Sequence, residues 1–355
     1  MKYDNIVLYS PEFIMVHELE VPFSLSRNRP DTFVATRNSP LIKDLAAETM
    51  GQMILTAAEK ITTAIEPILP AGFEKTFLSE IVKKHTKILI FSNHQSHADL
   101  LSVAKVSKLL TEMANKVLPE ENKSPGYQLI IASSLAEGEQ GALLQKCINQ
   151  LTADFIPNYY LSTIEYMRPK DAAMYNARLR TEGKAMNRLQ LKAFRDAKNV
   201  KFGFQLARGI KNNKGTIIFP SASVQEGRRK ENGEIFGLTE IDSNSVKLNR
   251  TIKMAMKIHP LSEMPLILFM ITHGGFNVLN PDTLSLTPEA LAVARNSGPA
   301  NLIQVKLSLP KRFGVIANEI RNKGERVNSK TINEYVSRTF AGLLPPEGQG
   351  FYRKA

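Results

Sequence analysis

Apolar residues recur along the chain at two different spacings, and the spacing changes near residue 85. From Leu41 to Glu66 they lie at helical intervals, which predicts an amphipathic helix that ends before Pro67. The stretch FEKTFLSEIVKK (73–84) has similar spacing and predicts a second helix. These two helices indicate a small helical N-terminal subdomain, preceded by an irregular segment over residues 1–40.

Beyond residue 85, short apolar runs alternate with longer helical stretches. The apolar runs predict strands at 87–92, 127–132, 153–160, 215–220, 265–272 and 302–309. Helical spacing occurs near 100–117, 135–150, 172–212 and 246–258. Such alternation is typical of the α/β class, and runs that are apolar throughout indicate a mixed, mostly parallel sheet covered by helices on both faces. We therefore predict a helical N-terminal segment over 1–84 and an α/β domain over 85–355.

The chain carries a strong excess of basic side chains, 46 Lys and Arg against 34 Asp and Glu, for a net charge of +12. This excess favours binding of anions, such as nucleic acid, an acidic membrane or protein surface, or a phosphorylated small molecule. Hydrophobic residues make up 43% of the 355 residues, which suffices for a large core. The single cysteine, Cys147, excludes an internal disulfide and a cysteine-rich zinc site and indicates a reducing compartment.

The sequence contains no stretch typical of a membrane span or a signal peptide. The longest apolar run, MPLILFMI (264–271), is far shorter than the ~20 residues that a span needs. The N-terminal MKYDNIVLYSPEF lacks a basic start and an apolar core. We therefore expect a soluble protein of the cytoplasm or the plastid stroma, and transient peripheral contact with a membrane surface stays open.

The polar stretch SNHQSHAD (92–99) follows the first predicted strand of the sheet. Parallel sheets bind ligands beyond the carboxyl ends of their strands, so this stretch is a candidate site. Within it, His94 and Asp99 have the spacing His-x4-Asp. A carboxylate that accepts a hydrogen bond from Nδ1 leaves Nε2 of the imidazole as a general base. The alternative is a loop in which Asn93, Ser96 and Asp99 cap a helix and His94 has no chemical role, and the residues alone leave both interpretations open.

Two basic clusters also follow predicted strands. The segment EYMRPKD contains Arg168 and Lys170, and the segment QEGRRKENG contains Arg228, Arg229 and Lys230. The guanidinium group of arginine suits bidentate binding of phosphate, whereas the alternative for both clusters is an ordinary solvated surface loop. Signatures of P-loop NTPases, Rossmann dinucleotide-binding proteins, zinc proteases and GxSxG hydrolases are absent, which argues against those classes.

SNHQSHAD resembles block I of the glycerolipid acyltransferase family, whose hallmark is His-x4-Asp. The similarity is greatest to the soluble plastid-type glycerol-3-phosphate acyltransferases. Further similar segments follow in the same order: KAMNRLQLK (184–192), IIFPSASVQEGRRK (217–230), GEIF (233–236), SNSV (243–246) and MPLILFMITH (264–273). The series extends between residues 85 and 275, and a helical segment before the α/β domain is a further trait of that family.

The resemblance implies transfer of a fatty acyl group from an acyl carrier protein or coenzyme A thioester to the 1-hydroxyl of glycerol 3-phosphate, a step of phospholipid synthesis. It implies that His94 is the general base and that Asp99 orients it. Binding of the acceptor's phosphate falls to the two basic clusters, Arg168, Lys170, Arg228 and Arg229. The same crevice would be lined by Asn93, Ser96, His97, Ser221 and Lys230. The expected co-substrate is the acyl thioester, with no metal or other cofactor and no nucleic acid as a partner.

Two departures from that family concern the phosphate-binding clusters. MRPK (167–170) stands where the family has a pair similar to Lys-Lys-His, and PSASVQEGRR (220–229) is longer than its Pro-Ser-Gly-Gly-Arg turn. One alternative is therefore a His-x4-Asp acyltransferase with a different hydroxyl or amine acceptor. The other is a non-enzymatic basic protein that binds anionic lipid or nucleic acid, although no RNA-binding signature lies near the basic clusters.

Overall fold

The computed structural model describes residues 40–84, 88–94, 96–132, 151–219, 228–229, 235–236, 266–280 and 285–346. The chain forms two compact units, Met1–Lys43 and Asp44–Ala355, and the fold described below is that of the second. The helices predicted near 135–150 and 246–258 lie outside the described residues, as do Ser221 and Lys230.

Strands and helices alternate through most of the described chain. The helices are α1 (Pro40–Ala64), α2 (Phe73–Lys84), α3 (Asp99–Asn115), α4 (Pro169–Thr181), α5 (Arg188–Lys211), α6 (Pro288–Ala294), α7 (Phe313–Asn322) and α8 (Ser329–Leu343). The strands are β1 (Ile88–Ser92), β2 (Tyr127–Ala132), β3 (Leu161–Tyr166), β4 (Gly215–Ile218), β5 (Arg228–Arg229), β6 (Ile235–Phe236), β7 (Leu266–His273), β8 (Gln304–Leu307) and β9 (Lys311–Arg312). None of the described helices is both long enough and apolar enough to cross a membrane.

Seven strands form one sheet in the order β3–β2–β4–β1–β7–β8, and β9 pairs with β7. The five strands from β3 to β7 in this order run parallel, whereas β8 and β9 run antiparallel to β7. The short strands β5 and β6 pair only with each other in the described chain. The predicted α/β class, with a mixed and mostly parallel sheet between helices, is confirmed. The carboxyl ends of the five parallel strands therefore meet at one edge of the sheet.

The central strand β1 is buried on both faces, because alternate side chains of a strand point to opposite sides of the sheet. Ile90 packs into a core formed with α1, α2 and α3, which contains Phe77. Leu89 and Phe91 pack on the other face into a core formed with α7 and α8, which contains Phe340. Successive residues of β1 up to Phe91 must therefore all be apolar, which explains the continuous apolar run in the sequence.

Helices α1 and α2 contribute to the same core as the sheet, through buried residues such as Ile61 and Phe77. Lys60 on α1 extends to the C-terminal end of α6. There its Nζ donates to the carbonyl oxygens of Val293 (3.3 Å) and Ala294 (2.9 Å). A cation at this end of a helix interacts favourably with the helix dipole. The domain boundary predicted after residue 84 stays a prediction.

The strand predicted over 153–160 is wrong. Two helical turns occupy 151–159, and β3 begins only at Leu161. Pro157 lacks the N–H group that a strand would donate, and Tyr160 ends the second turn in a left-handed conformation with φ of 54°. The apolar side chains of these turns are buried, and a short buried run does not distinguish a helical turn from a strand.

The helical stretch predicted over 172–212 consists of two helices, α4 and α5. Gly183 between them has a φ of 71°, which glycine adopts without strain. Asn187 then caps α5, because its side-chain oxygen accepts hydrogen bonds from the N–H groups of Leu189 and Gln190, both at 3.0 Å. The break between the two helices was therefore not predicted, although its glycine and its capping asparagine are visible in the sequence.

Candidate functional site

The loop that joins β1 to α3 carries a cluster of buried polar side chains. Strand β1 ends at Ser92 and helix α3 begins at Asp99. Between them, Asn93, His94 and Ser96 are only 3%, 8% and 7% exposed. Burial of polar groups costs free energy unless they are hydrogen-bonded, so these side chains need partners within the protein.

His94 and Asp99 form a hydrogen-bonded pair inside this loop. His94 Nδ1 lies 3.1 Å from Asp99 Oδ2, and the Asp99 side chain is fully buried. The same Oδ2 accepts a hydrogen bond from the backbone N–H of Ser96 at 3.0 Å. Asp99 is also the first residue of α3, where the helix dipole interacts favourably with a negative charge. With its hydrogen on Nδ1, His94 presents the lone pair of Nε2 as a proton acceptor.

Asn93 joins the end of β1 to the end of β7. Its Nδ2 donates to the carbonyl oxygen of Thr272 at 2.8 Å, and its Oδ1 accepts the N–H of Thr272 at 2.7 Å. Both residues are buried. These reciprocal bonds hold the backbone directly before His94, so the imidazole projects from a fixed point.

Gly275 brings the turn after β7 against the same loop. Its carbonyl oxygen accepts a hydrogen bond from Ser96 Oγ at 3.2 Å. A Cβ at Gly275 would lie 2.8 Å from Asp99 Oδ1 and 2.8 Å from Ser96 Cβ, closer than real contacts allow. Only glycine therefore permits this approach. Gly275 was not predicted as part of the site, although its signal in the sequence is the Gly-Gly pair just beyond a predicted strand.

The ring of Phe219 covers one face of the His94 imidazole. The ring centroids are 4.2 Å apart and the planes differ by 17°. Phe219 follows β4, which pairs with β1, so the neighbouring strand brings it to the site. The stack restricts the orientation of the imidazole and shields one of its faces from water. Phe219 was not predicted as part of the site, because an aromatic residue at the end of an apolar strand is typical of the core.

His97 lies edge-on to His94, with ring centroids 6.0 Å apart and planes at 86°. Burial lowers the pKa of His97, and the nearby His94 lowers it further, while Asp99 acts in the opposite direction. His97 is therefore neutral at pH 7 and brings no positive charge next to His94. The structure thus brings the predicted residues Asn93, Ser96 and His97 together with His94 in one loop.

The guanidinium group of Arg168 is paired with Asp171. Arg168 Nε donates to Asp171 Oδ2 at 2.8 Å, and Arg168 Nη2 donates to Asp171 Oδ1 at 2.7 Å. Asp171 is only 3% exposed. Arg168 follows β3, three strands from β1, a separation of about 14 Å at ~4.8 Å per strand. The structure therefore does not bring Arg168 beside His94. Lys170, the second residue of α4, is exposed to solvent.

Arg228 and Arg229 form strand β5, which pairs antiparallel with β6. Their side chains lie outside the described part of the structure. Their segment follows β4 along the sequence, and β4 lies next to β1 in the sheet. Their binding of phosphate stays a prediction, as do the crevice positions of Ser221 and Lys230.

A cavity lies at the opposite edge of the sheet, at the amino ends of β1, β2 and β4. Its lining includes Ile88, Tyr127 and Gly215. Burial raises the pKa of the Tyr127 hydroxyl, so Tyr127 stays protonated at neutral pH. Among the residues that the structure describes, no group of three His, Cys, Asp or Glu side chains could hold a metal ion.

Three neighbouring strands supply this site. β1 leads to His94, β4 leads to Phe219, and β7 provides Thr272, which fixes Asn93. Open parallel sheets bind ligands at this edge. A carboxylate that accepts from Nδ1 of a buried imidazole leaves Nε2 as the nitrogen that can accept a proton. Comparisons of the chain with protein-family models and with curated proteins find no match.

Proposed function

We propose that this protein is an acyltransferase that moves a fatty acyl group from an acyl carrier protein or coenzyme A thioester to the 1-hydroxyl of glycerol 3-phosphate. The observation that carries the proposal is the buried pair between His94 Nδ1 and Asp99 Oδ2, 3.1 Å apart. These two residues define the His-x4-Asp motif, and the ordered series of similar segments after it supports the same family.

His94 acts on the proton of the acceptor hydroxyl. An alcohol is a weak nucleophile at neutral pH and needs a base as it attacks. Its oxygen forms a bond to the thioester carbonyl carbon while Nε2 takes the hydroxyl proton. The tetrahedral intermediate then expels the thiolate, which takes that proton from Nε2, leaving an ester and a free thiol. Because the thioester is already activated, no covalent intermediate on the protein is needed.

Asp99 orients the imidazole and stabilises the imidazolium that forms during attack. The bond at Nδ1 keeps the ring in the tautomer that presents Nε2 to the acceptor. The N–H of Ser96 donates to the same Oδ2 and fixes the carboxylate relative to the ring. The residue therefore acts through His94 and does not contact the reacting atoms.

Phe219 limits the approach to His94 to one side. Its ring stacks on one imidazole face, so acceptor and donor must meet at the edge that carries Nε2. Exclusion of water from the face that Phe219 covers lowers the chance that His94 activates water and hydrolyses the thioester.

The basic segment after β4 is the better candidate for the acceptor's phosphate. Strand β4 adjoins β1, about 5 Å away, whereas Arg168 follows β3, about 14 Å away. The pair with Asp171 also holds the Arg168 guanidinium within the protein. Arg228 and Arg229 follow β4 in the sequence, and their binding energy would align the hydroxyl with Nε2. The net charge of +12 further favours encounter with an acidic carrier protein or with coenzyme A.

The pairing of Arg168 with Asp171 also supports a second candidate function. A His-x4-Asp acyltransferase with a different hydroxyl or amine acceptor would keep His94 and Asp99 and would not need a free arginine after β3. Both functions use the same donor and the same base, so the acceptor distinguishes them.

The test is release of thiol from an acyl-acyl carrier protein and from an acyl-coenzyme A, each with and without glycerol 3-phosphate. We expect release that depends on glycerol 3-phosphate and that falls by about 10²–10⁴ in His94→Ala, the usual effect of removing a positioned base. His97→Asn is the matched control, because it removes a neighbouring imidazole that makes no bond to Asp99 in the described structure.

Three other results would each contradict the proposal. Release that requires another acceptor would favour the second candidate function. If thiol release falls by less than tenfold in a folded His94→Ala protein, His94 is not the general base. No release with any donor or acceptor would favour a non-enzymatic basic protein.

A further inference from the structure

Helix α5 exposes a continuous apolar stripe to solvent. Its large members, Leu189, Val200 and Phe204, are 78%, 57% and 70% exposed. Ala193 and Ala197 lie between them and are also exposed. At 100° per residue, all five positions fall within about 80° of the helix circumference, over about 22 Å of its length. Exposed leucine and phenylalanine side chains aligned in this way indicate a surface that contacts another apolar phase.

The stripe is separate from the face by which α5 packs on the sheet. On the packed face, Phe202, Leu206 and Ile210 are buried against Ile164 of β3. The stripe lies on the opposite side of the helix, so it is not the margin of this core. Changes to Leu189 or Phe204 therefore leave the packing of α5 intact.

The helix that carries the stripe is strongly basic. Within α5, seven residues are basic: Arg188, Lys192, Arg195, Lys198, Lys201, Arg208 and Lys211. Asp196 is its single acidic residue, so α5 contributes +6 of the chain's net charge of +12. Lys192 and Asp196 lie on one flank of the stripe, and Lys201 and Arg208 lie on the other. An apolar stripe on a strongly basic helix is typical of helices that lie in the interface of an anionic membrane.

The N-terminal half of α5 extends beyond the carboxyl edge of the sheet. The Asn199 side chain bonds to the backbone N–H and carbonyl oxygen of Met167, directly after β3. The eleven residues before Asn199 therefore project about 16 Å past this edge. Stacking of Phe194 on Tyr175 of α4, with centroids 4.9 Å apart, supports this projecting part. The stripe thus begins at the same edge of the sheet as His94, the carboxyl edge of its parallel strands.

We propose that the exposed stripe of α5 binds the surface of an anionic phospholipid bilayer, with Leu189, Val200 and Phe204 inserted among the acyl chains near the headgroups. The flanking lysine and arginine side chains contact the acidic headgroups, their aliphatic parts lying along the apolar layer. This surface role does not depend on the acyl transfer proposed above.

Two observations favour a bilayer over a protein as the occupant. A second copy of the chain would bring one helix of net charge +6 against another of the same charge, which is repulsive. The stripe is also a convex ridge of protruding side chains, and a protein partner would need a groove of matching shape. A fluid lipid layer accommodates such a ridge without a preformed groove.

The test is co-sedimentation of the full chain with vesicles. One set contains phosphatidylcholine alone and the other has one third of it replaced by phosphatidylglycerol. We expect binding to the anionic vesicles at least tenfold tighter than to the neutral ones, weakening as salt increases. Leu189→Gln/Phe204→Gln should lower the partition coefficient about tenfold or more. Lys201→Gln/Arg208→Gln should lower it for anionic vesicles only.

Matched controls come from exposed residues on, or directly after, other helices. Val315→Gln changes another exposed apolar residue, and Lys323→Gln/Lys330→Gln removes two exposed charges elsewhere. Both controls should bind like the unchanged protein. Equal loss of binding in controls and α5 variants would overturn the proposal, as would failure to bind anionic vesicles. If the α5 variants bind vesicles normally but raise KM for an acyl-acyl carrier protein, the stripe binds a protein instead and the proposal is wrong. Because vesicle binding requires no catalysis, an inactive His94→Ala protein must still bind.

Discussion

The ring of Phe219 stacks on the ring of His94 at a centroid distance of 4.2 Å, although 125 positions of sequence separate them. At the edge of the same imidazole ring, Asp99 Oδ2 accepts the hydrogen bond from Nδ1. Two side chains from different parts of the chain thus fix both the plane and the tautomer of one histidine. A positioned base depends on both, because a small misplacement of the reacting atoms is costly.

Phe219→Ala should lower kcat about ten- to a hundredfold while leaving KM for the acceptor nearly unchanged. The imidazole then loses the contact that restricts its orientation, and water gains access to its covered face. Thiol release in the absence of acceptor should rise as a share of the total. Phe219→Leu, which keeps an apolar contact without the flat ring, should be intermediate. If both variants match the unchanged protein in kcat, the stack has no catalytic role.

Gly275→Ala should reduce both activity and stability. The new Cβ would meet Asp99 Oδ1 and Ser96 Cβ at 2.8 Å, so the loop or the turn after β7 must move. We expect a loss of about 1–3 kcal/mol in the free energy of unfolding, measured by urea denaturation, and at least a tenfold loss in kcat. Gly314→Ala is the matched control, since nothing lies within 4 Å of its Cβ position. Equal behaviour of the two variants would contradict the close approach at Gly275.

The stability of the protein should fall as pH falls through about 6.5, in part through His97. Burial lowers the pKa of His97 in the folded state, so the unfolded chain binds this proton more readily. Below the unfolded pKa, protonation therefore favours unfolding. His97→Asn, which cannot titrate, should lose less free energy of unfolding between neutral and mildly acidic buffer. Identical pH dependence in the two proteins would show that His97 does not contribute.

Arg168→Gln should lower the stability of the protein, whereas Lys170→Gln should leave it nearly unchanged. Loss of the Arg168 guanidinium leaves the buried Asp171 carboxylate without its main partner, so the free energy of unfolding should fall by about 1–3 kcal/mol. Adding Asp171→Asn should restore part of this loss. Lys170 is exposed, so its change should leave stability within about 0.5 kcal/mol. A stable Arg168→Gln protein with a raised KM for the acceptor would instead support phosphate binding by Arg168.

Most strands of the sheet could be predicted from the sequence, because β1 and β7 are buried on both faces and therefore read as continuous apolar runs. The same signal failed over 153–160, where apolar burial accompanies helical turns instead. The helices α7 and α8 were not predicted, since the sequence analysis assigned no element after residue 309.

The two central residues of the candidate site could be named from the sequence because their motif lies within one loop directly after a predicted strand, although the residues alone left a chemical role and a capped loop both open. Its supporting residues could not, since Phe219 and Gly275 reach His94 and Asp99 only through the order of strands in the sheet. The pairing of Arg168 was equally hidden, although Asp171 lies three positions away, because a basic residue after a strand is as consistent with ligand binding as with capping a helix.

The bonds between Asn93 and Thr272 join positions 179 residues apart. During synthesis the motif therefore emerges long before the strand that anchors it, and β1 leaves the ribosome with one edge unpaired until β7 follows. At ordinary rates of translation, this interval lasts from about ten seconds to several tens of seconds. Throughout it the nascent chain presents an apolar strand edge of the kind that chaperones bind and that aggregates form upon. Any fragment that stops before β7 would carry the complete His-x4-Asp motif and still lack an assembled site.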